Sequence, residues 1–179
     1  VGSEMCIRDS TLFYVDGGNS TGMVGQFSMG NEPSFHIPYI YNYCGAAWRT
    51  QQRTRFLLDV WFKDSVFGIP GDEDGGAMSA WVVFTAMGFY PVTPGQPVYA
   101  ITSPIFTEVA FDVPGGQFKI DAPASSKVNK YIQKARLNGK PLNTPFITHE
   151  QIMSGGTLTL ELGPKPNKTW GAQGDCPFK

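Results

Sequence analysis

Three acids stand in a row at Asp72-Glu73-Asp74, with glycine at 71, 75 and 76. Carboxylates this close repel one another, and they are tolerated where water, a cation or a substrate hydroxyl takes up the charge. A second polar knot lies upstream, where Asn31, Glu32 and His36 put a carboxamide, a carboxylate and an imidazole within six residues. Each knot precedes an apolar stretch with helical spacing. Two acidic loops at helix N-terminal ends suggest one polar pocket.

Asp72 and Asp74 sit two apart. A carboxylate at a helix start accepts backbone N–H bonds and feels the helix dipole, and both effects keep it ionised. An ionised carboxylate with room for water can act as a general base. In an inverting glycosidase one carboxylate activates water while a second, roughly 6.5–9.5 Å away, protonates the leaving oxygen. The competing reading is a helix cap in which the trio merely binds free N–H groups; Glu73 is read as a solvated or capping residue. Asn31 and Glu32 offer hard oxygen ligands of the kind Ca²⁺ takes. Two side chains are too few for a calcium site, so carbonyls, waters or a ligand's hydroxyls would complete it. The alternative is an Asn-Glu-Pro turn that starts a helix. His36, a lone histidine before an aromatic-rich stretch, reads as a satisfied structural residue rather than a catalytic one. Trp48 is a stacking face or part of the core.

The segments Gly30–Tyr43 (GNEPSFHIPYIYNY) and Ile69–Pro91 (IPGDEDGGAMSAWVVFTAMGFYP) resemble the C-terminal part of the calcium-dependent exo-α-mannosidases of glycoside hydrolase family 92. The resemblance runs from about Thr11 to about Trp170. It implies a fragment of a much longer enzyme, in which an N-terminal β-sandwich precedes an (α/α)6 helical barrel. It implies inversion at the anomeric carbon, with Asp72 and Asp74 as base candidates. It also implies a calcium that grips the 2- and 3-hydroxyls of a terminal mannose, with Glu32 and Asn31 as metal ligands and His36 and Trp48 as substrate contacts. The family's proton-donating glutamate lies upstream of the matching segment. Phe35 departs from the family pattern, which carries a polar residue there in many relatives.

The elements that would position these residues can be read in outline. Pro38 suits a helix start, Ile37, Ile40, Tyr41 and Cys44 recur at helical spacing, and Gly45 stops the run. A longer helix is predicted from Trp48 to Phe62 or Ser65, polar at first and then apolar, ended by Gly68 and Pro70. A third is predicted from Gly76 to Met87. It is apolar nearly all round, which predicts burial on every side, as in an inner helix of a toroid. Gly88 closes it. Asp16–Gly30 reads as a glycine-rich loop.

From Pro94 the character changes. Val98–Thr102, Phe106–Val113, Gln117–Asp121, Ile132–Leu137 and Thr157–Leu162 read as strands. Asn138-Gly139 is a hairpin signal, and Gly115-Gly116 a weaker one. The expected class is therefore α+β: the terminal helices of an (α/α)6 barrel over residues 11–94, then a small antiparallel β-region over 95–179. Residues 1–10 read as a translated sequencing-adapter end and are set aside. They contain no signal peptide.

The chain has 179 residues with a formal charge of −1. Without Glu4, Arg8 and Asp9 the balance is even, so no basic patch of the nucleic-acid type follows. Only 16% of residues are charged, which suits neutral polar ligands such as sugars. No run approaches the ~20 apolar residues of a membrane span. Cys44 is expected to be a buried small hydrophobe; pairing with Cys176 is the weaker alternative.

The reading is a fragment of a periplasmic or extracellular exo-α-mannosidase that acts on mannose-containing oligosaccharides and needs the upstream part of its own polypeptide. Two alternatives stand: another toroid-fold glycosidase or phosphorylase, and a non-catalytic carbohydrate-binding module. The module leaves the Asp72/Asp74 loop unexplained.

Overall fold

The computed structural model describes residues 23–24, 27–66, 68–71 and 73–173. Residues 1–10, Thr11–Val15, Asp72 and Cys176 lie outside the described residues.

The stretch expected to be a loop contains a short antiparallel ribbon, β1 (Met23–Val24) and β2 (Phe27–Ser28). Phe27 and the following Met29 are buried, which anchors the ribbon. Two 3-10 turns, Glu32–Ser34 and Ile37–Tyr39, each with proline in the first two positions, lead into α1 (Ile40–Tyr43). Proline fits there because its missing N–H would be unpaired anyway. Then follow α2 (Ala47–Trp61), a 3-10 turn at Asp74–Gly76, and α3 (Ala77–Met87). Gly88, at φ 106°, ends α3 in the left-handed region and donates its N–H to the Phe84 and Thr85 carbonyls.

The remaining chain forms two sheets. One is built from β3 (Phe89–Tyr90), β4 (Val98–Ile101) and β9 (Phe146–Thr148), all antiparallel. The other takes the order β5 (Glu108–Val113), β6 (Gly116–Asp121), β10 (Gly156–Gly163), β7 (Tyr131–Leu137), β8 (Lys140–Pro141). Between β9 and β10 runs α4 (His149–Met153), started by a Thr148/Gln151 capping box. Asn138 (φ 51°) and Gly139 (φ 78°) both take left-handed backbone in the β7–β8 hairpin, as a two-residue turn of this kind demands. The strictly alternating strand β10 buries Leu158, Leu160 and Leu162 and is paired on both edges.

Three expectations need correction. The larger sheet is not wholly antiparallel, because β10 enters between β6 and β7 and runs parallel to β6. Cys44 is exposed: it ends α1, where the chain turns out at Gly45 (φ 69°), so its side chain leaves the core. Helix α3 is buried on one side only. Met78, Trp81 and Thr85 are buried, but Ser79 and Ala80 face outward and Val83 is 54% exposed. Its apolar outer stripe therefore has nothing packed on it among the described residues.

Two hydrophobic clusters organise the fold. One lies under the sheets around Ile120, Ile132, Leu158 and Leu160. The other is aromatic and centres on Trp81, with Phe27, Phe35, Tyr39 and Leu57. Between them α2 presents a buried polar edge. Thr54 Oγ1 meets Thr102 Oγ1 at 2.7 Å, and Gln51 Oε1 accepts the Ile132 N–H at 2.9 Å. The polar opening of α2 thus partly ties the helix to the strands.

Candidate active site

The two acidic loops meet through their glycines. A Cβ on Gly71 would stand 2.3 Å from the Gly30 carbonyl oxygen and 2.6 Å from its Cα. Only glycine permits that approach, and Gly71 also sits at φ 77°. The contact brings the chain leading into Asn31-Glu32 against the chain leading into the Asp72–Asp74 loop.

Trp81 on α3 holds the first loop in place. Its indole N–H donates to the Phe35 carbonyl at 3.2 Å, and its ring lies 6.1 Å from Phe35, 6.5 Å from Tyr39 and 5.8 Å from Phe62. Aromatic pairs of this kind contribute about 0.5–1.5 kcal/mol each beyond burial. Tyr39 is fixed in turn by a 2.7 Å hydrogen bond between its hydroxyl and Thr85 Oγ1. Burial pushes the Tyr39 phenol far above its usual range, so it stays neutral and serves as a post.

Within the acidic trio the roles divide. Glu73 is the cap: its carboxylate accepts the N–H groups of Gly76 and of Ser79, the latter at 2.8 Å. The hydrogen bonds from Ser79, with help from Gly76, hold its carboxyl below the usual glutamate range. Capping therefore holds for Glu73. Asp74 takes no part in the cap and is exposed. It occupies left-handed backbone at φ 47°, a strained conformation that costs about 1–2 kcal/mol for a residue with a Cβ and is most tolerated by Asp and Asn. Strain of this sort is characteristic of functional loops. Asp72 lies outside the described residues.

In the first loop the backbone makes the expected turn. The Ser34 N–H donates to the Asn31 carbonyl and the Phe35 N–H to the Glu32 carbonyl, both at 2.9 Å. The Asn31 side chain makes no cap bond. Glu32 is half-buried, and its Oε1 is buried without a hydrogen-bond partner. A buried carboxylate oxygen with no donor is costly unless a cation or ligand satisfies it. No group of three or more His, Cys, Asp or Glu side chains gathers among the described residues. Glu32 therefore fits one place in an oxygen-ligand site that needs carbonyls, water and ligand hydroxyls to complete it.

The other two candidates sit differently. His36 is exposed and precedes the second 3-10 turn without capping it. Trp48, in the first turn of α2, is flanked by the Arg49 guanidinium at 4.8 Å and the Lys168 ammonium at 5.8 Å. Neither cation belongs to the two loops. His149 is exposed and meets the Tyr99 hydroxyl through Nδ1 at 2.9 Å. The positioning role of Trp81 was not anticipated; its only sequence signal was a large aromatic in the helix that follows the acidic loop.

Residues 7–164 match the glycosyl hydrolase family 92 catalytic domain. The chain belongs to that family. A relative from Arthroderma benhamiae, named as a secreted glycosidase, is 40% identical over 96% of this chain. A family GH92 α-mannosidase from Bacteroides thetaiotaomicron, solved with mannoimidazole, superposes with a TM-score of 0.89 at 28% identity over 95% of the chain. An inverting GH92 mannosidase from the same species superposes with a TM-score of 0.79 at 42% identity over 84% of the chain. The chain spans 21% of the Arthroderma relative's length and 23% and 20% of the two mannosidases. It is thus a glycoside hydrolase family member that spans about a fifth of its relatives.

Proposed function

We propose that this chain is part of an inverting, calcium-dependent exo-α-mannosidase that removes terminal α-mannose from glycans outside the cytoplasm. The Gly30–Gly71 contact joins two loops whose free oxygens have complementary tasks. Asp74, with Asp72, is the general base that takes a proton from the attacking water. Glu32, assisted by Asn31, holds the cation, whose charge would draw in and orient the sugar's vicinal hydroxyls. Glu73 serves the base by fixing the loop. The remaining barrel helices and the general acid come from the upstream part of the polypeptide. His36 and Trp48 are assigned to substrate contact, His36 at the lip of the first loop.

The observation that carries this reading is Glu32 Oε1, buried beside the loop junction with no donor to satisfy it. Support for a hydrolase rather than a binding module comes from Asp74, an acid left out of the cap and held in strained backbone. Support for α-mannose comes from the two mannosidases that share this fold. The secreted location follows the Arthroderma relative's name.

Two preparations test it. Residues 11–179 alone, assayed with calcium, should release no mannose from α-mannosides. The same residues grafted into the Arthroderma relative in place of its matching segment should give an active chimera. Robust turnover by the isolated chain, or activity of the chimera on a different sugar only, would sink the reading.

A further inference from the structure

A groove of about 500 Å³ runs between the C-terminal half of α2 and the segments around 105 and 126–130. We propose that it seats a segment from the upstream part of the same polypeptide, one bearing apolar side chains and at least one carboxylate. The proposal rests on the fragment reading above.

The groove's floor is apolar and open. Phe56 is 39% and Ile105 41% exposed, and Leu58 lines the groove between them. Val60, one turn from Phe56, and Phe106, next to Ile105, extend the apolar surface beyond it. Contiguous apolar surface around a concavity marks an interaction site. The groove is also preformed. The Arg55 guanidinium donates to the carbonyls of Pro104 and Ser126 and, at 3.3 Å, to Ser125 Oγ. One side chain of α2 thus clamps both loops, so little ordering is needed when the groove is filled.

The charge around the groove points to the occupant. Arg55, Lys127 and Lys130 face a single carboxylate, Asp59, which Lys127 meets at 3.5 Å. An acidic side chain on the incoming segment would balance the excess. The available length points to the same polypeptide. The relatives run to four or five times this chain, and on the fragment reading the upstream part is long enough to cover one of its faces. Among the described residues, this groove combines open apolar side chains, a fixed shape and unbalanced charge.

The test uses the chimera with Phe56→Cys or Ile105→Cys, each in a Cys44→Ser, Cys176→Ser background, with Lys140→Cys on exposed β8 as reference. Peptide-resolved maleimide labelling should be slowed roughly tenfold or more at 56 and 105 relative to 140, because a covered site reacts only when it opens. Lys127→Glu combined with Lys130→Glu should lower the melting temperature of the chimera, and Lys140→Glu should not. If the chimera folds and hydrolyses α-mannosides while 56 and 105 label as fast as 140, the groove assignment falls and the fragment reading stands. If the chimera neither folds cooperatively nor turns over, the fragment reading falls and takes the groove with it. Protection that vanishes on dilution would mean that a second copy covers the groove, and protection that appears only with added mannan would mean that a sugar does. Either result overturns the proposal.

Discussion

Gly71 lies against Gly30 so closely that a Cβ on Gly71 would stand 2.3 Å from the Gly30 carbonyl oxygen. The obstacle is backbone, which cannot swing aside as a long side chain can. The contact pins the chain leading into Asn31 and Glu32 against the chain leading into the Asp72–Asp74 loop, and nothing larger than hydrogen fits at Gly71.

Gly71→Ala should consequently damage both halves together. The new methyl group must push the loops apart, and at φ 77° it also adds about 1–2 kcal/mol of backbone strain. In the chimera, calcium affinity and turnover should both fall, with a lowered melting temperature. Calcium titration and thermal unfolding read this directly. Unchanged calcium affinity alongside reduced turnover would show that the two loops act independently.

Asp74→Asn should reduce kcat by about 10²–10⁴-fold with little change in KM, the expected loss when a general base is removed. The substitution is nearly isosteric, and the asparagine tolerates the left-handed backbone at this position, so folding should survive. A mutant with intact kcat and a raised KM would make Asp74 a binding residue.

The Glu73 cap predicts a pH dependence of α3. Its carboxyl is held below the usual range by the Ser79 and Gly76 N–H groups. The sign follows from the depressed value. The cap's contribution is fully present above the ordinary glutamate pKa of about 4.3 and is lost as pH falls through the lower folded value. Protection of the Gly76 and Ser79 amides, taken relative to their intrinsic exchange rates, should thus fall only below that range, and Glu73→Gln should flatten the response. A Ser79 amide that titrates at or above the ordinary glutamate value would contradict the assignment.

Much of this was legible in the chain. Gly45 and Gly88 stop helices where their lack of a Cβ lets the backbone turn left-handed, and the alternation of β10 fixed which of its faces is buried. What sequence alone left open depends on distant partners. The short strands β3, β8 and β9 have two or three residues each and exist only because neighbours pair with them. The parallel β6–β10 pairing is set by where the chain re-enters the sheet, and the exposure of Cys44 by the direction of α1's exit. In both loops the residue types suggest the chemistry proposed above. Glu73 is set apart in the sequence as a solvated or capping residue, and which of the two it is shows only where backbone geometry sends its carboxylate to the Gly76 and Ser79 N–H groups.

Glu32→Gln should weaken calcium and substrate together. The carboxylate oxygen Oε1 is buried without a hydrogen-bond partner, and a bound cation would satisfy it. The amide keeps the shape and removes the charge, and hard divalent cations bind anionic oxygen in preference to a neutral carbonyl. With no cysteine or second histidine beside it, nothing in the loop favours zinc over calcium. The wild-type chimera should lose activity to a chelator and regain it on adding calcium. The mutant should need far more calcium to reach half activity, and its KM for a mannoside should rise at fixed calcium. If Glu32→Gln leaves both the calcium requirement and KM unchanged, Glu32 is a turn residue and the cation is held elsewhere.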